Sequence, residues 1–257
     1  MADNYETFKT QVLRLTGIDL ESYKENQMKR RIDSLIRRNR IRGYSEYVDL
    51  IRNNTEKYEE FINYLTINVS EFWRNPEQWE VLENLVIPEL LKHDNMKIWS
   101  AACSTGDEPY SLVMLLNKYI DLSKINIYAT DIDKQVLAKA RNGVYDGKSL
   151  KGLPTAYVKK YFRDRGNNVY EINDAVKRCV TFKEHDLLKD TYPSGCDLII
   201  CRNVLIYFTE EAKDKIYAGF NNALKKDGFL FLGSTEQILN PADFNLTPIS
   251  SFFYKKR

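Results

Sequence analysis

Residues 97–116 read Lys-Ile-Trp-Ser-Ala-Ala-Cys-Ser-Thr-Gly-Asp-Glu-Pro-Tyr-Ser-Leu-Val-Met-Leu-Leu, and no other stretch restricts the fold as tightly. The apolar run 98–102 predicts a short buried strand. Residues 108–116 predict an amphipathic helix, with Pro109 in its first turn, where a missing N–H forfeits no hydrogen bond. Between them lie Cys103, Ser104, Thr105, Gly106 and Asp107. These residues are small, conformationally permissive or suited to capping. A strand turning through such residues into a helix forms the ligand-binding corner of an open α/β sheet.

The chain beyond repeats this rhythm. Strands are predicted at 126–130, 182–185, 197–201, 229–232 and 252–254, and helices at 134–141 and 210–224. Strands interspersed with helices imply a mainly parallel, Rossmann-like sheet with right-handed crossovers. Residues 143–180 interrupt the pattern with a short helix (154–162) and a hairpin pairing 169–172 with 179–182. This segment reads as an inserted small β-subdomain.

Upstream, residues 1 to about 90 carry almost no strand signal. One helix is predicted around Phe8, Val12, Leu13 and Leu15, stopped at Thr16-Gly17. Others fall at 23–39, at 44–53 with Ser45 as its cap, at 58–65 and at 77–91. The expected division is a small all-α N-terminal domain with linker, 1–75, and an α/β domain, 76–257.

With 257 residues, 43% of them hydrophobic, the chain can bury a substantial core. No apolar run approaches the length of a membrane span. The stretch from Met1 to Glu6 lacks a basic segment followed by an apolar one. The cysteines Cys103, Cys179, Cys196 and Cys201 form no C-x-x-C pair, and only His93 and His185 are present to join them. No metal site is expected, and reduced thiols in a soluble cytoplasmic protein are.

Net charge is only +2, but its distribution is uneven. Between Tyr23 and Arg42 stand Lys24, Lys29, Arg30, Arg31, Arg37, Arg38, Arg40 and Arg42, opposed only by Glu25 and Asp33. Such a helix is either a solvated face or a docking surface for an acidic protein or a nucleic acid.

The predicted strands end in polar residues: Ser104 to Asp107, Asp131, Asp186, Arg202-Asn203 and Thr235-Glu236. Together they locate a cleft at the carboxyl ends of the strands. A dinucleotide site needs G-x-G-x-x-G, and only Gly106 is present. The P-loop pattern is absent as well. Asp107, Glu108 and Asp131 make the corner acidic instead. An acid at the end of the second strand suits two ribose hydroxyls, and acids near the first turn suit an ammonium or sulfonium. S-adenosylmethionine carries these groups and no phosphate. Acids at helix starts also act as ordinary caps, so the corner alone leaves that reading open.

Several blocks carry a resemblance. They are Asn68-Val69-Ser70-Glu71-Phe72-Trp73-Arg74, residues 99–111, Ala129-Thr130-Asp131-Ile132-Asp133, and residues 201–208, Cys-Arg-Asn-Val-Leu-Ile-Tyr-Phe. Gly233-Ser234-Thr235-Glu236 fits too. In this order they resemble the chemotaxis receptor methyltransferases of the CheR family, over essentially the whole chain. The resemblance implies a class I methyltransferase fold. It also implies a protein-glutamate O-methyltransferase that moves the methyl group of S-adenosylmethionine to chemoreceptor glutamates and leaves S-adenosylhomocysteine.

By motif position, the resemblance places Asn68, Ser70 and Arg74 against the cofactor from the linker. Glu108 would take its ammonium end and Asp131 its ribose. Asp186 and Leu187 would flank the adenine, and Arg202 and Asn203 would line the far wall. Arg74 and Tyr207 would stand near the transferred methyl and the incoming carboxylate. A glutamate with a pKa of about 4.3 is already ionised at neutral pH and needs no general base.

Receptor methylation helices present rows of glutamates that the basic helix 23–42 would attract. In some family members the inserted subdomain grips a receptor tether. The loop 163–168 is short and polar for that use, so tether-independent action is expected. Two rivals stay open: a nucleic-acid methyltransferase, and a non-catalytic module that senses S-adenosylmethionine. The first lacks the Asn/Asp-Pro-Pro-Tyr/Phe strand end that holds a flipped base, so no nucleic-acid partner is expected.

Overall fold

A computed structural model describes residues 4–93 and 95–257. Met1 to Asp3, which open the stretch read as lacking a leader signature, lie outside the described residues. The chain divides into two compact units. One comprises the residues up to Asn68 together with Leu205–Lys215, and the other Val69–Val204 with Ile216–Arg257.

The first unit is helical: α1 (Tyr5–Thr16), α2 (Glu25–Arg38), α3 (Tyr44–Asn53) and α4 (Thr55–Thr66). Asn4 caps α1 by accepting the Thr7 N–H, and Gly17 ends it in a left-handed conformation. The expected cap at Ser45 is corrected. Gly43 occupies the N-cap of α3, and Glu46 accepts the Arg42 N–H from inside the helix. Phe8, Ile32, Tyr47 and Phe61 are among the buried side chains.

The basic helix is only partly a free surface. Arg31 donates to the Tyr64 carbonyl and stacks on its ring, and Arg38 pairs with Glu60 at 2.7 Å. These two arginines fasten α2 to α4. Lys29, Arg30, Arg37, Arg40 and Arg42 remain exposed.

The second unit opens with α5 (Pro76–Val81), a π-helical stretch (Leu82–Val86) and α6 (Ile87–Leu90). Pro88 has no N–H and crowds the preceding turn, which accounts for the widened helix before it. Then follow β1 (Ile98–Ala101), α7 (Asp107–Leu116), β2 (Ile127–Asp131), α8 (Lys134–Asn142), β3 (Val144–Asp146), α9 (Thr155–Tyr161), β4 (Phe162–Gly166), β5 (Val169–Ile172), α10 (Asp174–Lys177) and β6 (Val180–Glu184). The chain finishes with β7 (Cys196–Cys201), α11 (Glu210–Ala223), β8 (Leu224–Leu232), β9 (Leu246–Ser250) and β10 (Phe253–Lys256). Residues of α11 up to Lys215 cluster with the first unit.

The main sheet has the order β6-β2-β1-β7-β8-β10-β9. Five strands run parallel, and β10 and β9 close one edge antiparallel. Every residue of β1 and β7 is buried, as expected of central strands covered on both faces. The chain leaves β1 toward β2 and β6, then returns to the other side of β1 with β7. The switch point therefore lies between β1 and β7, where such sheets bind ligands. Helix α7 is buried on almost every side, not amphipathic as its sequence suggested.

The inserted segment forms a separate sheet, β3-β5-β4. The expected pairing of 169–172 with 179–182 is incorrect. β5 pairs with β3 and β4, while β6 joins the main sheet beside β2. The supposed loop 163–168 is mostly strand. Its true turn is Asn167-Asn168, both left-handed at φ 51° and 61°, the two-residue geometry that suits the twist of a hairpin.

Candidate cofactor and acceptor site

The corner after β1 is sharply bent. Ala102, Ser104 and Gly106 all have positive φ, at 60°, 49° and 87°. Gly106 is required on two grounds: its left-handed backbone, and space. A Cβ there would lie 3.0 Å from the Ala140 Cβ and 3.2 Å from the rings of Phe182 and Tyr110. The turn is tied down by Cys103 N donating to the Thr130 carbonyl (2.8 Å) and by the Tyr145 hydroxyl donating to the Thr105 carbonyl (2.8 Å).

Asp131, at the end of β2, faces this turn. Its two oxygens accept the Ser104 N–H at 2.8 Å and the Asp133 N–H at 3.0 Å. Burial pushes its pKa from 3.8 up to about 6, although those N–H groups oppose the rise. The Ile132 N–H also bonds this carboxylate, whose four lone-pair sites leave room for a further hydroxyl donor. Ser104 Oγ is buried without a hydrogen-bond partner.

Glu108 lies in the first turn of α7 and accepts from Ser100 Oγ at 2.8 Å. Arg202 Nη1 stands 3.6 Å from its other oxygen. Burial still raises the Glu108 pKa, and Arg202 offsets this only in part. Buried Asp107 is also raised by burial, with hydroxyls of Thr105 (2.6 Å) and Ser70 opposing. Two buried carboxylates, Asp107 and Asp131, and the half-buried Glu108, with incomplete positive compensation, disfavour phosphate and favour a cation. The residues present therefore fit a cofactor that carries ammonium, sulfonium and ribose groups.

Arg202 follows β7. Its Nη2 donates to the Arg74 carbonyl (2.9 Å), Asn75 Oδ1 (3.1 Å) and Gln78 Oε1 (2.9 Å). Its guanidinium lies 4.8 Å from the Phe231 ring centroid. Asn203 adopts φ 62°, and its N–H is held by Glu236 Oε2 at 2.6 Å. The same oxygen accepts the Gly233 N–H at 2.8 Å. A side chain at Gly233 would collide with the Glu236 carboxylate and with the Asn203 backbone nitrogen, 2.6 Å away.

Asp186 turns inward on its own loop, accepting the Leu188 N–H at 2.8 Å, and the Leu187 carbonyl accepts from the Tyr192 hydroxyl at 2.6 Å. Arg74 sits between two left-handed residues, Trp73 (φ 57°) and Asn75 (φ 59°), and its Nη1 donates to the Val69 carbonyl at 3.2 Å. Asn68 and Tyr207 belong to the first unit. There Asn68 donates to Thr66 Oγ1 at 2.7 Å, and the Tyr207 carbonyl accepts the Lys24 N–H at 2.8 Å.

Within the second unit the fold gathers Glu108 and Asp131 at the corner, and links Glu108 through Arg202 to the Arg74 backbone. Sequence reasoning did not single out Gln78, Asn75, Ser100 or Glu236 as site residues. The polar end of β8 was the signal available for Glu236. Among the described residues no cluster has the composition of a metal site. No described helix is long and apolar enough to cross a membrane.

A mostly parallel sheet with an acidic, glycine-poor corner at its switch point defines a Rossmann-like methyltransferase that binds S-adenosylmethionine. Residues 68–253 match the family model "CheR methyltransferase, SAM binding domain", and residues 3–66 match "CheR methyltransferase, all-alpha domain". The chain belongs to the CheR methyltransferase family.

A chemotaxis protein methyltransferase of Listeria innocua is 42% identical over 98% of this chain and 97% of its own. One from Borreliella burgdorferi is 32% identical over 93% and 89%. Among solved structures, a TehB-like SAM-dependent methyltransferase of Corynebacterium glutamicum aligns at TM-score 0.39 and 14% identity, over 70% of this chain and 92% of that one. That likeness is too distant to carry an argument. The protein is a SAM-dependent methyltransferase of the chemotaxis type.

Proposed function

We propose that the protein methylates glutamate side chains of chemoreceptor cytoplasmic helices, forming methyl esters in the cytoplasm. The observation that carries the reading is the held arginine. Arg74 is fixed through its backbone by two left-handed neighbours and by Arg202, while its guanidinium has one long contact, to the Val69 carbonyl. Such a group suits a carboxylate, which it meets through two parallel hydrogen bonds. Left-handed non-glycine backbone persists where the surroundings over-determine it, and it concentrates at functional sites.

When bound, S-adenosylmethionine would supply an electrophilic methyl group, sulfur keeping the C–S electron pair as the new O–C bond forms. The residues would then have three tasks. Asp131 would accept from the ribose hydroxyls, Glu108 would balance the ammonium, and Arg74 would align the acceptor. The remaining assignments within the second unit are Ser70, Asp186, Leu187, Arg202 and Asn203 around the cofactor. No general base is needed. Of the two histidines, His185 is enclosed by Trp99 and Tyr192, and burial lowers its pKa.

Docking through α2 and the turn that follows it is part of this proposal, with Lys29, Arg30 and Arg37 on the helix and Arg40 and Arg42 beyond its end as the contact face. Arg37→Glu and Arg40→Glu are expected to weaken receptor methylation at least fivefold while cofactor affinity holds. Arg31 and Arg38 are unsuitable probes because they fasten α4. For the activity itself, incubation with methyl-labelled cofactor and either receptor cytoplasmic domain or RNA is decisive. Base-labile label on the receptor is expected. Label on RNA, or binding without transfer, overturns the reading.

A further inference from the structure

The start of α5 departs from ordinary helix capping. Its sequence, Asn75-Pro76-Glu77-Gln78, has the N-x-x-Q spacing of a capping box, in which the two side chains satisfy each other's backbone N–H groups. Neither does so here. Asn75 occupies the N-cap without a side-chain cap bond, and the Gln78 N–H is met by the Asn75 carbonyl at 2.9 Å. Both amide oxygens turn instead to Arg202 Nη2, at 3.1 and 2.9 Å. A helix start that forgoes a stabilising cap in this way has a different purpose.

The other contacts indicate that purpose. Arg202 Nη2 also holds the Arg74 carbonyl, which accepts a second bond from Trp79 Nε1 at 3.0 Å. The Trp73 N–H is held by Ser111 Oγ at 3.1 Å, and the Trp73 and Trp79 rings stack at 4.9 Å. Arg202 Nη1 faces Glu108. One buried guanidinium thus joins the carboxylate assigned to the cofactor's ammonium with the peptide that carries Arg74.

We propose that Gln78 is a positioning residue for methyl transfer. Its amide oxygen fixes the Arg202 guanidinium, and Arg202 in turn fixes the Arg74 peptide relative to Glu108. This rests on the proposed activity and adds a residue to it. Nη2 has two hydrogens and three acceptors, so without Gln78 both hydrogens still find partners at Arg74 and Asn75. Loss of Gln78 therefore leaves neither Nη2 hydrogen unpaired and should change stability little; Arg202 Nε is buried without a partner already in the intact protein. It frees the guanidinium to turn, and small misalignments of a reacting pair lower the rate steeply.

The test compares wild type, Gln78→Leu and Gln78→Glu in receptor methylation, S-adenosylhomocysteine binding and tryptophan emission. Gln78→Leu is expected to lower kcat about tenfold, with acceptor KM and cofactor Kd within threefold of wild type. Gln78→Glu, which restores an acceptor, is expected to recover most of the rate. A Gln78→Leu protein with wild-type kcat, or a kcat loss that Gln78→Glu does not recover, overturns the proposal. Should wild type methylate no receptor, the proposed activity fails, and emission still judges the clasp. Gln78→Leu should shift the Trp73–Trp79 emission and Gln78→Glu should not; an unchanged spectrum refutes it. If Gln78→Leu does not fold, Gln78 is structural and the proposal falls.

Discussion

Asp131 ties cofactor affinity to pH in a direction opposite to its effect on stability. Its carboxyl is buried, and its pKa rises from 3.8 to about 6. If the ribose hydroxyls donate to the ionised form, apparent affinity falls as Asp131 takes up a proton. With a pKa of about 6, roughly one molecule in eleven is ionised at pH 5 and nearly all are at pH 7.5, so Kd should rise about tenfold across that interval.

Stability moves the other way. The native state binds this proton more readily than the unfolded chain between pH 3.8 and about 6, so the cofactor-free protein gains stability as pH falls through that window. The full span is worth roughly 3 kcal/mol. Isothermal titration with S-adenosylhomocysteine from pH 5 to 8 measures the first effect, and urea unfolding of cofactor-free protein carried down through pH 3.8 measures the second. Asp131→Asn should bind more weakly at pH 7.5 and lose the pH step in both. A wild-type Kd that stays flat down to pH 5 would refute the assignment of this carboxylate to the ribose.

Three further outcomes are expected. Glu236→Ala strips the partner from the Asn203 and Gly233 N–H groups and should destabilise the protein by about 2–4 kcal/mol, read by chemical unfolding, with weaker cofactor binding. Gly106→Ala places a Cβ at left-handed φ and 3.0 Å from Ala140, and should cost about 2–4 kcal/mol in backbone strain and overpacking, again read by unfolding. All four cysteines are buried, and burial raises the thiol pKa of each, so a thiol reagent at pH 7.5 should label them slowly in the native protein and completely in urea.

The local order of elements was legible in the sequence because it follows from near-neighbour physics. Apolar runs ending in polar residues marked β1, β2 and β7, and the 3.6-residue spacing of Met28, Ile32, Leu35 and Ile36 marked α2. The acidic, glycine-poor corner was equally local. It excluded phosphate ligands from residues close together in the chain.

What failed was pairing. Residues 179–182 look like a hairpin partner for 169–172, yet parallel pairing with β2 and burial of Val180 and Phe182 win over proximity, and β6 enters the main sheet at its edge. The short charged strand β4 was hidden because its exposed residues bear no apolar alternation. Only the tertiary structure decided that Arg202 reaches back across the chain to the Arg74 carbonyl, Asn75 and Gln78, or that Glu236 holds Asn203. These contacts join residues far apart in sequence: Arg202 to the segment that precedes β1, and Asn203 after β7 to Glu236 after the neighbouring β8. Local sequence chose the chemistry of the corner at residues 97–116. The crossover of the chain about β1 chose which side chains surround it, because strand order is set by long-range burial that no short window of sequence contains.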